Sequence, residues 1–180
     1  MPTDSLSIDA CTFNSNDKLF IDTNVWLYLY APQAPGDWKA RVYSRALAKI
    51  LSAKSRIFID ALVLSEFINR YTRLAFNLTK RTGAVIEYKD YRKSAEFKPV
   101  AREIEATVRR IMKHCQPTDS GFSTCDLDGL LAEFGRGNSD FNDQVMVELC
   151  KANGWKLVTH DGDFKDCGLT VLTANKRLLA

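Results

Sequence analysis

The sequence predicts an α/β fold with a mainly parallel sheet. Short apolar runs at Lys18-Leu-Phe-Ile-Asp22, Arg56-Ile-Phe-Ile-Asp60 and Trp155-Lys-Leu-Val-Thr-His160 have the length of buried strands. Between them lie longer segments whose apolar residues recur every three or four positions, as on a helix with one buried face. Strands that alternate with helices give a parallel sheet, because each helix carries the chain back to the edge where the next strand begins. Asp22 and Asp161 each end an apolar run, so both are expected at a strand's C-terminal end, where open α/β sheets bind their ligands.

Taken in order, Lys18–Asp22 is a central strand and Asn24–Tyr30 a short helix, closed by a loop over Pro32–Gly36. From Asp37, a plausible N-cap, Tyr43, Ala46, Leu47, Ile50 and Leu51 mark an amphipathic helix. The second strand leads at once into a helix from about Ala61 to Leu78, with Glu66 on its second turn. Residues from about Lys80 to Lys98 are polar and interrupted by Gly83, and Pro99 opens a helix to about His114. The region of about 80–114 is therefore expected as an inserted helical arm. Gln116-Pro117 reads as a break, Gly121–Cys125 as a third strand, Leu127–Phe134 as a helix and 135–139 as a loop. Ser139 or Asp140 caps the next helix, which runs to Asn153-Gly154. Trp155–His160 and Leu169–Thr173 are the last two strands. The expected organisation is a flexible segment over 1–17 and one domain over 18–180.

With 180 residues, 46% hydrophobic and 26% charged, the chain can bury a core without disulfides or a structural metal. No stretch approaches the roughly 20 apolar residues of a membrane span. The first 17 residues are polar and of mixed charge, unlike a signal peptide. The five cysteines are odd in number and contain no Cys-x-x-Cys pair, which fits reduced thiols in a cytoplasmic protein. His114, Cys115 and Cys125 lack the second ligand pair that a zinc site needs. Net charge is +3, unevenly spread: Arg70–Lys113 holds twelve Lys and Arg against five Asp and Glu, a local +7 that leaves −4 elsewhere. A basic segment beside an acidic pocket suits a polyanion; the plainer reading is the solvated face of ordinary helices.

Four acidic positions carry the chemistry: Asp22 in Ile21-Asp-Thr-Asn24, Glu66 in Leu64-Ser-Glu-Phe67, Asp143 in Asn142-Asp-Gln-Val145, and Asp161 in Thr159-His-Asp-Gly-Asp-Phe164. Gathered at one sheet edge, such carboxylates repel by roughly 4 kcal/mol per pair at about 4 Å and an effective dielectric of about 20. Divalent cations relieve this, since hard ions take carboxylate and water oxygens. A metal-dependent phosphoryl-transfer site follows as the expectation. Asp140 either caps its helix or shares a first turn with Asp143; Asp163 either ligates or serves the turn at Gly162. Asn24 and Thr159 either orient a carboxylate or phosphate or satisfy local backbone.

These segments resemble the motifs of PIN-domain ribonucleases, the family that includes the VapC toxins. The likeness is most specific from Asp143 to Phe164 and covers most of Lys18–Thr173. It implies a three-layer α/β/α sandwich and an acid tetrad of Asp22, Glu66, Asp143 and Asp161 that binds Mg²⁺ or Mn²⁺, with Asp140 and Asp163 as accessories. It also implies an RNA substrate, an antitoxin or a homodimer as partner, and no membrane. Asn24, Thr159, Arg92, Lys93, Arg109 and Arg110 are the expected substrate-positioning residues. Two rival readings remain: an inactive PIN-like module that binds RNA or protein, and a haloacid-dehalogenase-type phosphatase. The second would want an acid where Asn24 stands.

Overall fold

A computed structural model describes residues 3–32, 37–81, 87–137 and 140–180. Among them, strands β1 (Asp4–Ser7), β2 (Lys18–Ile21), β3 (Arg56–Ile59), β4 (Cys115–Pro117), β5 (Lys156–Val158) and β6 (Thr170–Thr173) form one sheet. Its order is β1-β6-β5-β2-β3-β4, and every neighbouring pair is parallel. The helices are α1 (Thr23–Tyr30), α2 (Trp38–Ser52), α3 (Ala61–Arg81), α4 (Tyr88–Tyr91), α5 (Phe97–Met112), α6 (Leu127–Gly135) and α7 (Phe141–Asn153). Helices α1, α2, α3 and α5 pack on one another in series, and α6 packs on α7 as a separate pair. From β2 the chain steps outward through β3 to β4, then returns to β5 on the other side of β2 and continues to β6. Right-handed crossovers therefore put the two helix groups on opposite faces, which makes the three layers. The order reverses between β2 and β5, and a crevice opens at such a switch point beyond the strands' C-terminal ends.

The core explains why the central strands hold their register. Leu19, Phe20 and Ile21 are buried, and Phe20 and Ile21 stand opposite Leu157 and Val158. The Trp155 ring stacks on Phe58 at 4.2 Å and on Phe20 at 5.9 Å, covering β2 and β3 just before β5 begins. Gly154 ends α7 at φ 62, a left-handed conformation that glycine adopts without a Cβ penalty, and this turns the chain into Trp155. Asp37 caps α2 by accepting from the Lys39 N–H at 2.8 Å, as expected from the sequence. Among the described residues no helix is long and apolar enough to cross a membrane.

The two edge strands depart from expectation. β1 lies within the stretch expected to be a flexible lead-in, yet it pairs with β6 from Asp4–Thr170 to Ser7–Thr173, so the fold begins before Lys18. Its side chains are exposed or half-buried, and Ile8, just beyond it, is fully buried. An edge strand covered on one side only needs no apolar run. The strand expected at Gly121–Cys125 is instead a turn: the N–H groups of Thr124 and Cys125 both donate to the Gly121 carbonyl, at 3.0 and 3.1 Å. The sheet takes Cys115–Pro117 there, the segment read as a break; proline is tolerated because β4 is an edge. The expected arm consists of α4 and α5, and α5 is anchored rather than free, with Ile104, Thr107 and Ile111 buried and Tyr71 on α3 donating to Glu103 at 2.8 Å. The loop residues 33–36, Gly83 and Ser139 lie outside the described residues.

Candidate active site

Asp22 follows the last residue of β2, where its N–H still donates to the Val158 carbonyl at 3.0 Å. Its side chain is buried and caps α1, accepting from the Asn24 N–H at 3.4 Å. Two more donors reach the same carboxylate: the Thr159 hydroxyl at 2.6 Å and the Asn24 side-chain amide. Thr159 Oγ1 in turn accepts from Asn24 Nδ2 at 3.2 Å and from the Asp161 N–H at 3.0 Å. One donation and two acceptances exhaust the capacity of a hydroxyl, so Thr159 is locked. Asn24 Oδ1 accepts from the His160 N–H at 3.2 Å, which ties α1 to the residues after β5. Asn24 and Thr159 thus fill both roles open for them in the sequence: they orient the Asp22 carboxylate and satisfy the backbone N–H groups of His160 and Asp161.

Glu66 is oriented from both sides. Thr23 Oγ1, fully buried, donates to Glu66 Oε2 at 3.0 Å, and Arg70 one turn later donates to Oε1 at 3.0 Å. Neither contact was anticipated: Thr23 is an ordinary helix-start residue in sequence, and Arg70 was one of twelve cations without a distinguishing mark. Asp143 stands in the first turn of α7, half-buried, and lines a cleft of 620 Å³ with Asp163, Leu130, Glu133 and Lys151. Asp161 caps the 3-10 turn Gly162–Phe164 by accepting from the Asp163 N–H at 3.1 Å. Asp140 caps α7 through the Asn142 N–H at 2.8 Å and remains close enough to Asp143 for its charge to be felt.

The electrostatics show that the four acids share one environment. Burial pushes the Asp143 carboxyl up to about 7, and the negative charges of Asp22, Asp140, Asp161 and Glu66 push the same way. Asp22 is raised to about 6, again first by burial; the Thr159 hydrogen bond opposes this, and Glu66 and Asp161 add to it. Among the described residues, no three His, Cys, Asp or Glu side chains close on one point as metal ligands do. The oxygens of Asp22, Glu66 and Asp161 are instead turned toward their own protein donors. The donor set still suits a hard divalent ion: carboxylates without sulfur, carrying like charge that nothing nearby fully neutralises. His114, Cys115 and Cys125 form no such cluster, and Cys115 is a core residue whose thiol burial pushes up to about 12.

The structure does not bring every expected residue to this place. Arg110 lies over the Tyr30 ring at 5.6 Å, at the end of α1 opposite its Asp22 cap, and Arg109 pairs with Glu105 on its own helix at 2.8 Å. Arg92 and Lys93 follow Tyr91, whose ring packs on Phe76. Phe76 stands ten positions beyond Glu66 on α3, about 15 Å of helix axis. Of the basic segment, Arg70 pairs with Glu66, and Arg70 and Arg73 border a groove with Asn24, Leu27 and Tyr28.

His160 is packed edge-on against Trp38, Tyr28 and Tyr43, at ring distances of 5.5, 5.6 and 5.7 Å. A 2.9 Å hydrogen bond joins its Nδ1 to the Tyr43 hydroxyl. Burial holds the imidazole below its usual range, and the Lys39 charge adds to that, so at neutral pH it is an uncharged packing residue.

The family model of the PIN domain matches residues 19–168, from the second residue of β2 to just before β6. The chain belongs to the PIN-domain family. PIN domains are generally nucleases, and Asp22, Glu66, Asp143 and Asp161 all fall within the matched span. No curated protein matches the chain significantly by sequence. Among solved structures, a chain in the crystal structure of VapBC2 from Rickettsia felis bound to a DNA fragment from their promoter has a similar fold. It gives a TM-score of 0.55 at 14% identity, with 87% of this chain and 98% of that chain covered.

Proposed function

We propose that this PIN domain is a metal-dependent endoribonuclease in which Asp22, Glu66, Asp143 and Asp161 bind Mg²⁺ or Mn²⁺. The observation that carries this reading is the raised pKa of Asp143 and Asp22, caused first by burial and then by neighbouring carboxylates: Asp22, Asp140, Asp161 and Glu66 act on Asp143, and Glu66 and Asp161 act on Asp22. A divalent ion bound there would supply the Lewis acidity that turns water into a nucleophile for a phosphodiester. The chain's own residues do the rest. Asn24 and Thr159 fix the Asp22 carboxylate, so its oxygens are presented without reorganisation. Thr23 steers Glu66, while Arg70 holds it and offers a cation at the rim. Asp163, beside Asp143 in the same cleft, and Asp140 add negative charge as accessories.

The reading extends to a toxin held by an antitoxin, supported by the likeness to a chain of R. felis VapBC2 and by an exposed apolar row on α6 at Leu127, Leu131 and Phe134. The test is cleavage of single-stranded RNA by purified protein. Hydrolysis is expected with Mg²⁺ or Mn²⁺, to stop with EDTA, and to be lost in Asp161→Asn. Equal cleavage by wild type and that variant would assign the activity to a contaminant. RNA binding without metal-dependent cleavage would leave the protein an inactive binding module.

A further inference from the structure

The acid cluster accounts for phosphodiester chemistry but leaves an aromatic cluster beside it without a role. Trp38 opens α2 with 46% of its surface exposed, whereas Trp26 and Trp155 are at 0% and 6% in the core. The exposed indole lies edge-on to His160, the residue before Asp161, and His160 is bound through its N–H to Asn24, which bonds Asp22. Tyr28, half-buried, completes the cluster: its ring stacks on Tyr43 at 6.0 Å, with Lys39 Nζ 4.8 Å from its centroid. The same Tyr28 lines the 290 Å³ groove that runs past Asn24 to Arg70 and Arg73. Aromatic rings and cations thus lie together beside Asn24 and Arg70, which bond Asp22 and Glu66.

This pattern matches an unpaired nucleotide strand. A base offers a π-face to an aromatic ring, and its phosphate seeks a cation. Packing alone does not require Trp38, since the His160 ring that it meets edge-on is already held by Tyr28, Tyr43 and a hydrogen bond. Lys39 and Arg73 sit over the tyrosine rings of Tyr28 and Tyr88, so each is pre-positioned on an apolar surface.

We propose that Trp38, with Tyr28 and Lys39, forms a stacking platform for one unpaired base of single-stranded RNA, next to the phosphate presented to the acids. The inference rests on the nuclease reading of the site and names how that site grips its substrate. Trp38 is a positioning residue, since it touches a flanking base and not the reacting atoms.

The experiment is a titration in EDTA of wild type, Trp38→Ala and Trp38→Phe with an end-labelled single-stranded RNA, followed by anisotropy and by intrinsic tryptophan fluorescence. A parallel series places an abasic site at each position in turn. Wild-type fluorescence should quench on binding, because Trp38 is the accessible indole. Trp38→Ala should weaken binding roughly 5- to 150-fold, the usual range for one stacked base, while Trp38→Phe keeps most of the affinity. The salt slope should stay the same, because stacking releases no counterions. One abasic position should cost wild type about as much as Trp38→Ala does and cost the variant nothing further. Equal affinity for wild type and Trp38→Ala overturns the platform, as does an abasic series without a coupled position. Quenching and coupling in a protein that cuts no RNA with Mg²⁺ or Mn²⁺ would defeat the hydrolytic reading and leave the platform standing.

Discussion

The two ends of the central strands treat buried carboxylates in opposite ways. Before β2, Asp17 is only 7% exposed, yet Lys156 at the start of β5 donates to it at 2.8 Å and the Asn14 N–H does so at 2.8 Å. Burial alone would raise its pKa, but the lysine and the backbone donor outweigh it and hold the carboxyl below its usual value. After β2, Asp22 is 5% exposed, receives hydrogen bonds from neutral donors only, and faces Glu66 and Asp161. Its carboxyl is raised instead. Both are Asp residues flanking one four-residue strand, so burial does not separate them. Compensation does: Asp17 is given a cation, and Asp22 is given neutral donors alone.

The strongest way to break this comparison is to remove charge at the Asp22 end. Asp22→Asn, Asp143→Asn and Asp161→Asn should each lower metal-dependent RNA cleavage on the order of 10²–10³-fold or more, a range typical of removing one preorganised electrostatic group. Single-turnover assays against a labelled RNA would show it. Wild-type rates in all three variants would place the chemistry elsewhere.

Stability should respond with opposite sign at the two ends. Lys156→Ala leaves Asp17 buried with one donor fewer and should cost about 1–3 kcal/mol. Asp22→Asn in EDTA should be neutral or stabilising, because it removes like-charge repulsion while the amide oxygen can still accept a hydrogen bond. Urea unfolding at pH 7 measures both, and equal losses in the two variants would mean that the ends do not differ.

The pH dependence sharpens the same point. Asp22 and Asp143 bind protons more tightly in the folded chain than in the unfolded one, with values of about 6 and about 7. Their contribution is therefore full below about pH 4, the unfolded value, and is lost as pH rises toward 7. Asp17 works the other way: its contribution is present above about pH 4 and disappears as pH falls through its lowered folded value. Metal-free protein should lose stability between about pH 4 and 7, and a double Asp22→Asn, Asp143→Asn variant should flatten that loss. A wild-type profile that climbs across this window contradicts the assignment.

The smallest expected effect concerns the basic segment. Converting Arg92, Lys93, Arg109 and Arg110 to Ala should change the salt slope of RNA binding less than converting Lys39, Arg70 and Arg73, each phosphate contact contributing about 0.7 for a single strand. A larger effect from the first set would extend the RNA path along α5, where the sequence placed it.

The chain by itself determined the α/β alternation and the central strands, because each of these is written in contiguous residues, and it singled out the four acids as candidates. A short apolar run ended by an acid reads as a buried strand and Gly154 as a helix stop whatever lies around them, whereas the residues left Asp140 two roles and the fold gave it the cap. The edge strands β1 and β4 were not legible, because a strand covered on one side needs no apolar run and draws its pairing from a distant partner. Tertiary structure also decided how the strand-end acids are partnered. Ile59-Asp60 reads like Ile21-Asp22, yet Asp60 spends its carboxylate on the Val63 N–H at 2.9 Å, capping α3 rather than joining the others. Likewise, a count of cations across Arg70–Lys113 carries no distances. Helix geometry put Arg70 one turn from Glu66 on α3, whereas Arg110, on α5, lies over Tyr30. Through-space charge exists only once the chain has closed, so the raised carboxyls at the switch point belong to the fold alone.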